Sequence, residues 1–290
     1  MTKNLLITGT GGFIGKNLKE FLQNKYTLFT PRSFELNLLD EVAVKAYMTE
    51  NKIDIIIHGA SFGARINTND TMEEVGQKNI LMFQNIAKNL PAESFMISLG
   101  SGAEYDKSKP LKKIKESAFG NSIPQDPYGY SKYVISKEIE NHENIINLRL
   151  FGVYGKYEHE SRFITYAINQ NLAKKPIEIN QNVIFDYLYI DDLCKITEYF
   201  IKNKSSEKFI NVTPKQSVDL VTIANIINEI SGFKSEIKIK KDGLNNEYTG
   251  DNTKLLNEMV DFDFTTYKKG VKSLFDFFMN KKSPSYQASK

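Results

Sequence analysis

The sequence predicts an α/β protein built on a doubly wound parallel sheet, with a smaller α/β lobe added towards its C-terminal side. Three observations carry that reading. Short apolar runs alternate with amphipathic stretches through the first half of the chain, the pattern of buried strands and covering helices. A glycine-rich turn, TGTGGFIG, follows the first apolar run and opens the first amphipathic one. Past about residue 155 the rhythm loosens, as it does where a second unit is appended.

Taken in order, NLLIT (4–8) is a buried-strand pattern, and KNLKEFLQN (16–24) spaces Leu18, Phe21 and Leu22 at helical intervals. YTLFT (26–30), DEVAVKAYMTEN (40–51), DIIIHGA (54–60), a helix over 71–89 and SFMISLG (94–100) continue the alternation. After NIINLRLFGVYG (144–155) come a helix over 162–172, PIEI (176–179), YLYIDD (187–192), a helix to about 203 and KFINV (208–212). SVDLVTIANIINEISG (217–232) reads as a helix capped by Ser217 and stopped by Gly232. EIKIKK (236–241) alternates like a strand and 265–280 is a last amphipathic helix. These assignments place a dinucleotide-binding domain at 1–160 plus about 183–205, and a substrate lobe at about 161–182 plus 206–280. A flexible tail is expected at 281–290.

Composition narrows the classes. With 25% charged and 41% apolar residues and a net charge of +3, 290 residues suffice for a large core. The lysines are scattered rather than gathered on a face with interleaved aromatics, so nucleic acid is not expected as a partner. No stretch reaches a membrane span and the N-terminus lacks a signal-peptide pattern, so a cytoplasmic location without membrane contact is expected. One cysteine, Cys194, excludes an internal disulfide framework, and three scattered histidines suggest no metal site. Only four arginines occur, Arg32, Arg65, Arg149 and Arg162. In a chain that uses lysine for ordinary positive charge, they are weighted towards planar recognition of carboxylate or phosphate.

The glycine turn is the first functional signal. Gly9, Gly12 and Gly15 lie three apart between a strand and a helix. Glycines there let the backbone approach a diphosphate, which the helix N-terminus meets with unpaired N–H groups and its positive dipole. Strand, triplet, helix and second strand together predict a Rossmann-type dinucleotide site, with Phe13 and Ile14 in the first helical turn beside the cofactor. After the second strand an acid usually meets a free ribose 2′-hydroxyl and an arginine a 2′-phosphate. Here Arg32 and Ser33 precede any acid, the first being Glu35. NADP(H) is therefore expected ahead of NAD(H).

A second signal lies in DPYGYSKYVISKE (126–138). A Tyr four residues before a Lys shares its helix face, and a cation beside a phenol favours the phenolate. Three pairs fit: Tyr105/Lys109, Tyr128/Lys132 and Tyr133/Lys137. With 15 tyrosines and so many lysines, spacing alone does not choose among them.

The combination of TGTGGFIG, LGSGAEY, PYGYSK and FDYLYIDD, with the late GDNTKLLNE, resembles the extended short-chain dehydrogenase/reductases. The branch is the one of NAD-dependent epimerases and dehydratases that act on nucleotide-activated sugars. ELNLLD is similar to the GDP-fucose synthases, and length and NLRLFGVYG to the CDP-abequose synthases. The resemblance selects Tyr128, which follows Pro127, and Lys132, which follows Ser131, as proton donor and its activating cation. It implies that Lys132 also holds the cofactor ribose, with Ala60 past the third strand beside the cofactor. Ser101 is selected as the hydroxyl that fixes the reacting oxygen, Ser98 remaining a strand residue, and Gly102 lies beside it at the substrate. Asn79 corresponds to a structural asparagine, and pairing of two copies through the catalytic helix and its predecessor is implied.

Departures from the family are as informative. Dehydratases carry an acid after the hydroxyl where this chain has Gly102 and Ala103; Glu104 is one position late and is expected to face away. Members that epimerise before reducing carry a Cys at Ala103 and a His near Arg162, and His159 is the only nearby substitute. An Arg that contacts substrate phosphates is replaced by Phe185, which leaves Arg162 first, then Arg65, Lys174 and Lys175, for that task, with Phe185 free to stack on a ring. What remains, Ser101, Tyr128 and Lys132, suits ketone reduction. The expected activity is NADPH-dependent reduction of a keto group on a nucleotide sugar for surface polysaccharide synthesis, the substrate being a 4-keto sugar or a CDP-linked ketose. The alternatives are an NAD-dependent 4-epimerase and a non-catalytic NADP(H)-binding regulatory or scaffold protein.

Overall fold

Strand β1 (Asn4–Thr8) buries Leu5, Leu6 and Ile7 on both of its faces, as a parallel strand covered by helices on either side must. The computed structural model describes residues 3–62 and 71–282. Along the chain β1 is followed by α1 (Phe13–Leu22), β2 (Thr27–Phe29), α2 (Glu41–Glu50), β3 (Ile55–His58), α3 (Met72–Lys88) and β4 (Phe95–Ser101). Next come β5 (Leu111–Ile114), α4 (Pro127–Ile139), β6 (Ile145–Leu150), β7 (Gly152–Tyr154), α5 (Phe163–Leu172) and β8 (Ile177–Asn182). Then β9 (Ile184–Phe185), β10 (Tyr187–Tyr189), α6 (Ile190–Lys202), β11 (Phe209–Val212), β12 (Val218–Asp219) and α7 (Leu220–Ser231). The described chain ends with β13 (Ile237–Leu244), β14 (Tyr248–Gly250), α8 (Thr253–Glu258) and α9 (Tyr267–Lys282).

Six of these strands form one parallel sheet in the order β11-β6-β4-β3-β1-β2. Helices α1 and α6 cover one face through Leu18, Leu22, Leu193 and Phe200. Helices α2, α3 and α4 cover the other through Val44, Met48, Phe83, Ile86, Ile135 and Ile139. The strand order reverses between β1 and β3, and a crevice beyond the carboxyl ends of strands at such a point is where this architecture binds ligands. Helix α3 opens with a capping box between Thr71 and Glu74. Helix α4 opens with Asp126 accepting from the Gly129 N–H and with Pro127 in its first turn.

A second core lies among α5, α7, α9 and β8, built on Ile164, Ile168, Ile177, Ile223, Ile227, Val271 and Leu274. Between it and the main sheet a four-stranded sheet runs in the order β12-β9-β14-β5. Two stretches fall differently from the sequence expectation. Phe209–Val212 pairs with β6 at the edge of the central sheet, because its alternation Ile210, Val212 completes the apolar face there. Leu111–Ile114, which sits in a lysine-rich stretch with no strand signal, pairs with β14. The cap of α7 is Asp219, whose side chain accepts from the Thr222 N–H; Ser217 instead donates to Asp186 at 2.6 Å. Gly232 does stop α7, at φ +69°. The tail from 283 lies outside the described residues.

Asp186 ties the parts together. Its fully buried carboxylate accepts from Ser217 Oγ, from the Gly250 N–H at 2.8 Å and from Lys113 Nζ at 3.4 Å. Burial raises its pKa, and these three donors pull it back. Asp186→Ala takes the acceptor from the buried Gly250 N–H, the half-buried Ser217 hydroxyl and the partly exposed Lys113 ammonium and should cost about 3 kcal/mol in urea unfolding. A loss under about 1 kcal/mol would show that the junction does not depend on this carboxylate.

Candidate active site

The turn after β1 is shaped by what it touches. Gly9 has φ +78°, and a Cβ there would lie 2.7 Å from the Gly59 carbonyl carbon. Gly15 packs against the Gly9 carbonyl so closely that no side chain fits, whereas Gly12 is open, with nothing nearer than 3.4 Å. This leaves a bare backbone cradle at the opening of α1. Beyond it, the Arg32 guanidinium lies over Gly11, where a Cβ would stand 2.8 Å from Nη1. Arg32 and Ser33 are exposed and Phe13, Ile14 and Ala60 half-buried around the crevice. A cradle of this shape fits the diphosphate of a nicotinamide dinucleotide.

On the facing side, Thr8 Oγ1 accepts from the N–H groups of Gly59 (3.1 Å) and Ala60 (3.2 Å). With both lone pairs taken, its hydrogen goes to His58 Nδ1, 3.0 Å away. Burial, with the Lys132 ammonium adding to it, pushes the His58 pKa down to about 3, so the ring stays neutral. Asn79 accepts from the Phe62 N–H at 2.7 Å and holds the chain that leaves β3.

Ser101 ends β4 and is 8% exposed. Tyr128 and Lys132 share one face of α4; Tyr128 is half-buried, and the buried Lys132 ammonium donates to the Leu99 carbonyl at 3.0 Å. The other two Tyr/Lys pairs separate. Tyr105 is buried, bonded to Asn211 at 2.9 Å and to Arg149 at 3.0 Å, while Lys109 turns out towards Asp106 and Ser122. Tyr133 packs on Phe119 and Lys137 pairs with Glu140 at the surface.

Glu104 turns away from the open crevice into a network beneath Ser101, as part of a short 3-10 turn, Gly102–Glu104. Its carboxylate accepts the Ser101 N–H at 2.9 Å, Arg149 Nε at 2.6 Å and Asn147 Nδ2. Arg149, 1% exposed, is held further by Ser136 and stacks between Phe119 and Phe209. Its guanidinium is spent inside the protein, on the Glu104 carboxylate through Nε and on the Tyr105 and Ser136 hydroxyls through its other two nitrogens.

The remaining predicted residues gather more loosely. Gly102 is buried, and the space a Cβ would take is filled by the Tyr248 hydroxyl at 2.6 Å and the Phe151 ring at 2.8 Å. It therefore seats a tyrosine and does not present open surface to a ligand. Phe185, half-buried, stands 5.3 Å from Tyr187 and 5.6 Å from Tyr248 by ring centroids. Arg162 caps α5 with an exposed side chain 3.5 Å from Glu158, and its charge is felt by Tyr187 and Tyr248. Arg65 lies outside the described residues. Tyr248, Phe151 and Glu158 carry no motif in the sequence and enter the site only through topology. Among the described residues no group of His, Cys, Asp and Glu could hold a metal ion, and no helix is long and apolar enough to cross a membrane.

The family profile of the NAD dependent epimerase/dehydratase family matches residues 5–213. The chain belongs to this family, in the extended short-chain dehydrogenase/reductase branch, and is an NAD(P)-dependent oxidoreductase. It is 24% identical to GDP-L-colitose synthase of Yersinia pseudotuberculosis over 96% of this chain and 99% of that protein. Its fold is shared with a GDP-mannoheptose C4 reductase from Campylobacter jejuni solved with NADP bound (TM-score 0.81, 19% identity, 96% and 98% of the two chains). It is shared equally with UDP-glucose 4-epimerase of Thermotoga maritima (TM-score 0.80, 18% identity, 97% and 100%).

Glu158 offers a test of this part of the site. Its side chain is 5% exposed, and burial raises its pKa to about 7 from 4.5 although Arg162 and Thr165 lower it. A carboxyl raised in the folded state contributes fully below 4.5 and loses its contribution as pH rises through about 7. Glu158→Gln, which does not titrate, should gain on the wild type by up to about 3 kcal/mol between about pH 5 and about pH 8 in urea unfolding. An unchanged difference at the two pH values would contradict the buried placement of this carboxyl.

Proposed function

We propose that the protein reduces a keto group on a nucleotide-activated sugar with NADPH, in the cytoplasm, as a step towards a surface polysaccharide precursor. The observation that carries this reading is the set of groups around Ser101. Ser101 ends β4, the Lys132 ammonium reaches the Leu99 carbonyl of the same strand, and Tyr128 lies one turn before Lys132 on α4, while the positions that supply acid or base for elimination and epimerisation in the family hold Gly102 and Ala103. The carboxyl that follows, Glu104, is consumed by Arg149.

In this reading Gly9, Gly12 and Gly15 admit the diphosphate, Phe13, Ile14 and Ala60 line its course, and Arg32 with Ser33 receives a 2′-phosphate. NADPH, when bound, supplies a hydride to the carbonyl carbon. Tyr128 gives its phenolic proton to the carbonyl oxygen, Ser101 donates a hydrogen bond to the same oxygen, and the Lys132 ammonium stabilises the phenolate left behind. The atoms balance as one hydride and one proton added across C=O. The second core forms the substrate lobe, with Arg162 offered to the substrate diphosphate and Phe185 to a ring. The names of similar proteins favour a GDP-linked 4-keto sugar over the CDP-linked ketose. Two copies pairing through α3 and α4 accords with the exposed Leu81 and Tyr130 on those helices.

Two measurements test the reading. NADPH oxidation with a panel of nucleotide-linked 4-keto sugars should fall by about 1,000-fold or more in Tyr128→Phe while NADPH binding is kept; comparable activity would refute the role of Tyr128. In fluorescence titration NADPH should bind more tightly than NADH, and Arg32→Ala should erase most of that preference. Tighter NADH binding by the wild type, or nucleotide retained through purification, would favour the 4-epimerase.

A further inference from the structure

Resting on the reductase reading above, we propose that Glu104 is a positioning residue of the reaction, which holds the Ser101 hydroxyl in one rotamer through a capping box. Residues 101–104 have the S-x-x-E pattern of such a box, and both of its bonds are formed. Ser101 Oγ accepts the Ala103 N–H at 3.1 Å, and Glu104 Oε1 accepts the Ser101 N–H at 2.9 Å. A serine side chain has three staggered rotamers. The bond from Ala103 selects one of them, and it occupies a lone pair rather than the hydrogen that the carbonyl oxygen needs.

The sheet leaves this task open. Odd-numbered residues of β4 turn their backbone groups towards β3, as the Phe95 N–H does in bonding the Asp54 carbonyl. β3 ends opposite Ser98, so the Leu99 carbonyl and the Ser101 N–H have no ladder partner on that side. Lys132 takes the first at 3.0 Å and Glu104 takes the second. The box is also braced from behind. Arg149 Nε donates to Glu104 Oε2 at 2.6 Å, and Asn147 Nδ2 reaches both oxygens, at 3.1 and 3.0 Å. These bonds fix the carboxylate with Oε1 towards Ser101. Gly100 belongs to the same fit, since a Cβ there would run into Glu104 Oε1 and Asn147 Oδ1. With Glu104 1% and Ser101 8% exposed, water does not compete for these bonds as it does at a surface cap. A donor held in place before the substrate arrives costs no reorganisation when negative charge develops on the carbonyl oxygen.

The test compares two double variants of the full chain, with NADPH and a GDP-linked 4-keto-6-deoxyhexose. Both remove the buried charges together, a replacement that well-packed apolar side chains often tolerate. Glu104→Gln/Arg149→Met keeps a side-chain acceptor at the box position, whereas Glu104→Met/Arg149→Met has none. In the variant without an acceptor kcat should fall about 10- to 100-fold, with KM and NADPH affinity little changed. The glutamine should rescue it to within about 3-fold of the wild type. Equal kcat in the two variants, whether low or high, would overturn the proposal. A second readout needs neither turnover nor a folded double variant. In wild-type protein labelled with 15N-serine, the Ser101 amide, identified by its loss in Ser101→Ala, should exchange with solvent about as slowly as the Ser98 amide inside the same strand. Fast exchange at Ser101 overturns the bond to Glu104, and so the proposal, even where the wild type reduces the sugar. A wild type that reduces no ketone while this amide is protected counts against the reductase reading and supports the box.

Discussion

The ion pair between Glu104 and Arg149 is the constraint on which the catalytic end of the molecule depends. Both side chains are 1% exposed, and taking two charges out of water is costly, so stability alone would be served as well by apolar residues. What apolar residues cannot supply is a carboxylate oxygen for the Ser101 N–H and a guanidinium that reaches Glu104, Tyr105 and Ser136 at once. Through these bonds the end of β4, the strand β6 and helix α4 are held in one frame. Tyr105 extends it to Asn211 on β11, and Asn211 in turn is bonded to Glu116 and to the Ile114 carbonyl. The frame fixes the position of Ser101 from below.

From above, the site is completed by chain that arrives much later in the sequence. Asp186 gathers Ser217, the Gly250 N–H and Lys113, which brings β14 against the end of the central sheet. Tyr248 comes with it, two residues before Gly250. The Gly102 position, which carries bulk or charge in dehydratases by the resemblance, is emptied here and a phenol takes the space. The loss of an acid and the arrival of a tyrosine are thus one change in packing, and both leave a site better suited to holding a carbonyl oxygen than to moving protons at carbon.

Most of the central sheet was legible in the sequence because its strands are buried on both faces and its helices carry a regular apolar stripe, so LLI in β1 and III in β3 read without ambiguity. The glycine turn was legible for a similar reason: backbone contact with a diphosphate leaves its mark as missing side chains at fixed spacing. β5, β9 and β14 were not legible. They are two to four residues long, one of them lies among lysines, and their pairing depends on partners more than 30 residues away in sequence. Glu104 and Tyr248 were hidden for the same reason. A carboxylate one position late in a motif looks idle until Arg149 is seen beneath it, and nothing in NEYTGD announces a hydroxyl that fills the space beside Gly102. Arg149 shows the converse, since the scarcity of arginine weighted it towards planar recognition of a ligand, whereas it forms an internal salt bridge, meeting the Glu104 carboxylate through Nε.

The measurement that bears most directly on the account is the isotopic mass balance of a single turnover, using NADPH deuterated at the transferable position of nicotinamide C4 and a GDP-linked 4-keto sugar. If the site around Ser101 and Tyr128 reduces the ketone, the sugar product gains one deuterium at carbon and one solvent proton at oxygen, with one NADP+ formed for each product. A product of the same mass as the substrate, with no net oxidation of NADPH, would contradict the account and point to isomerisation.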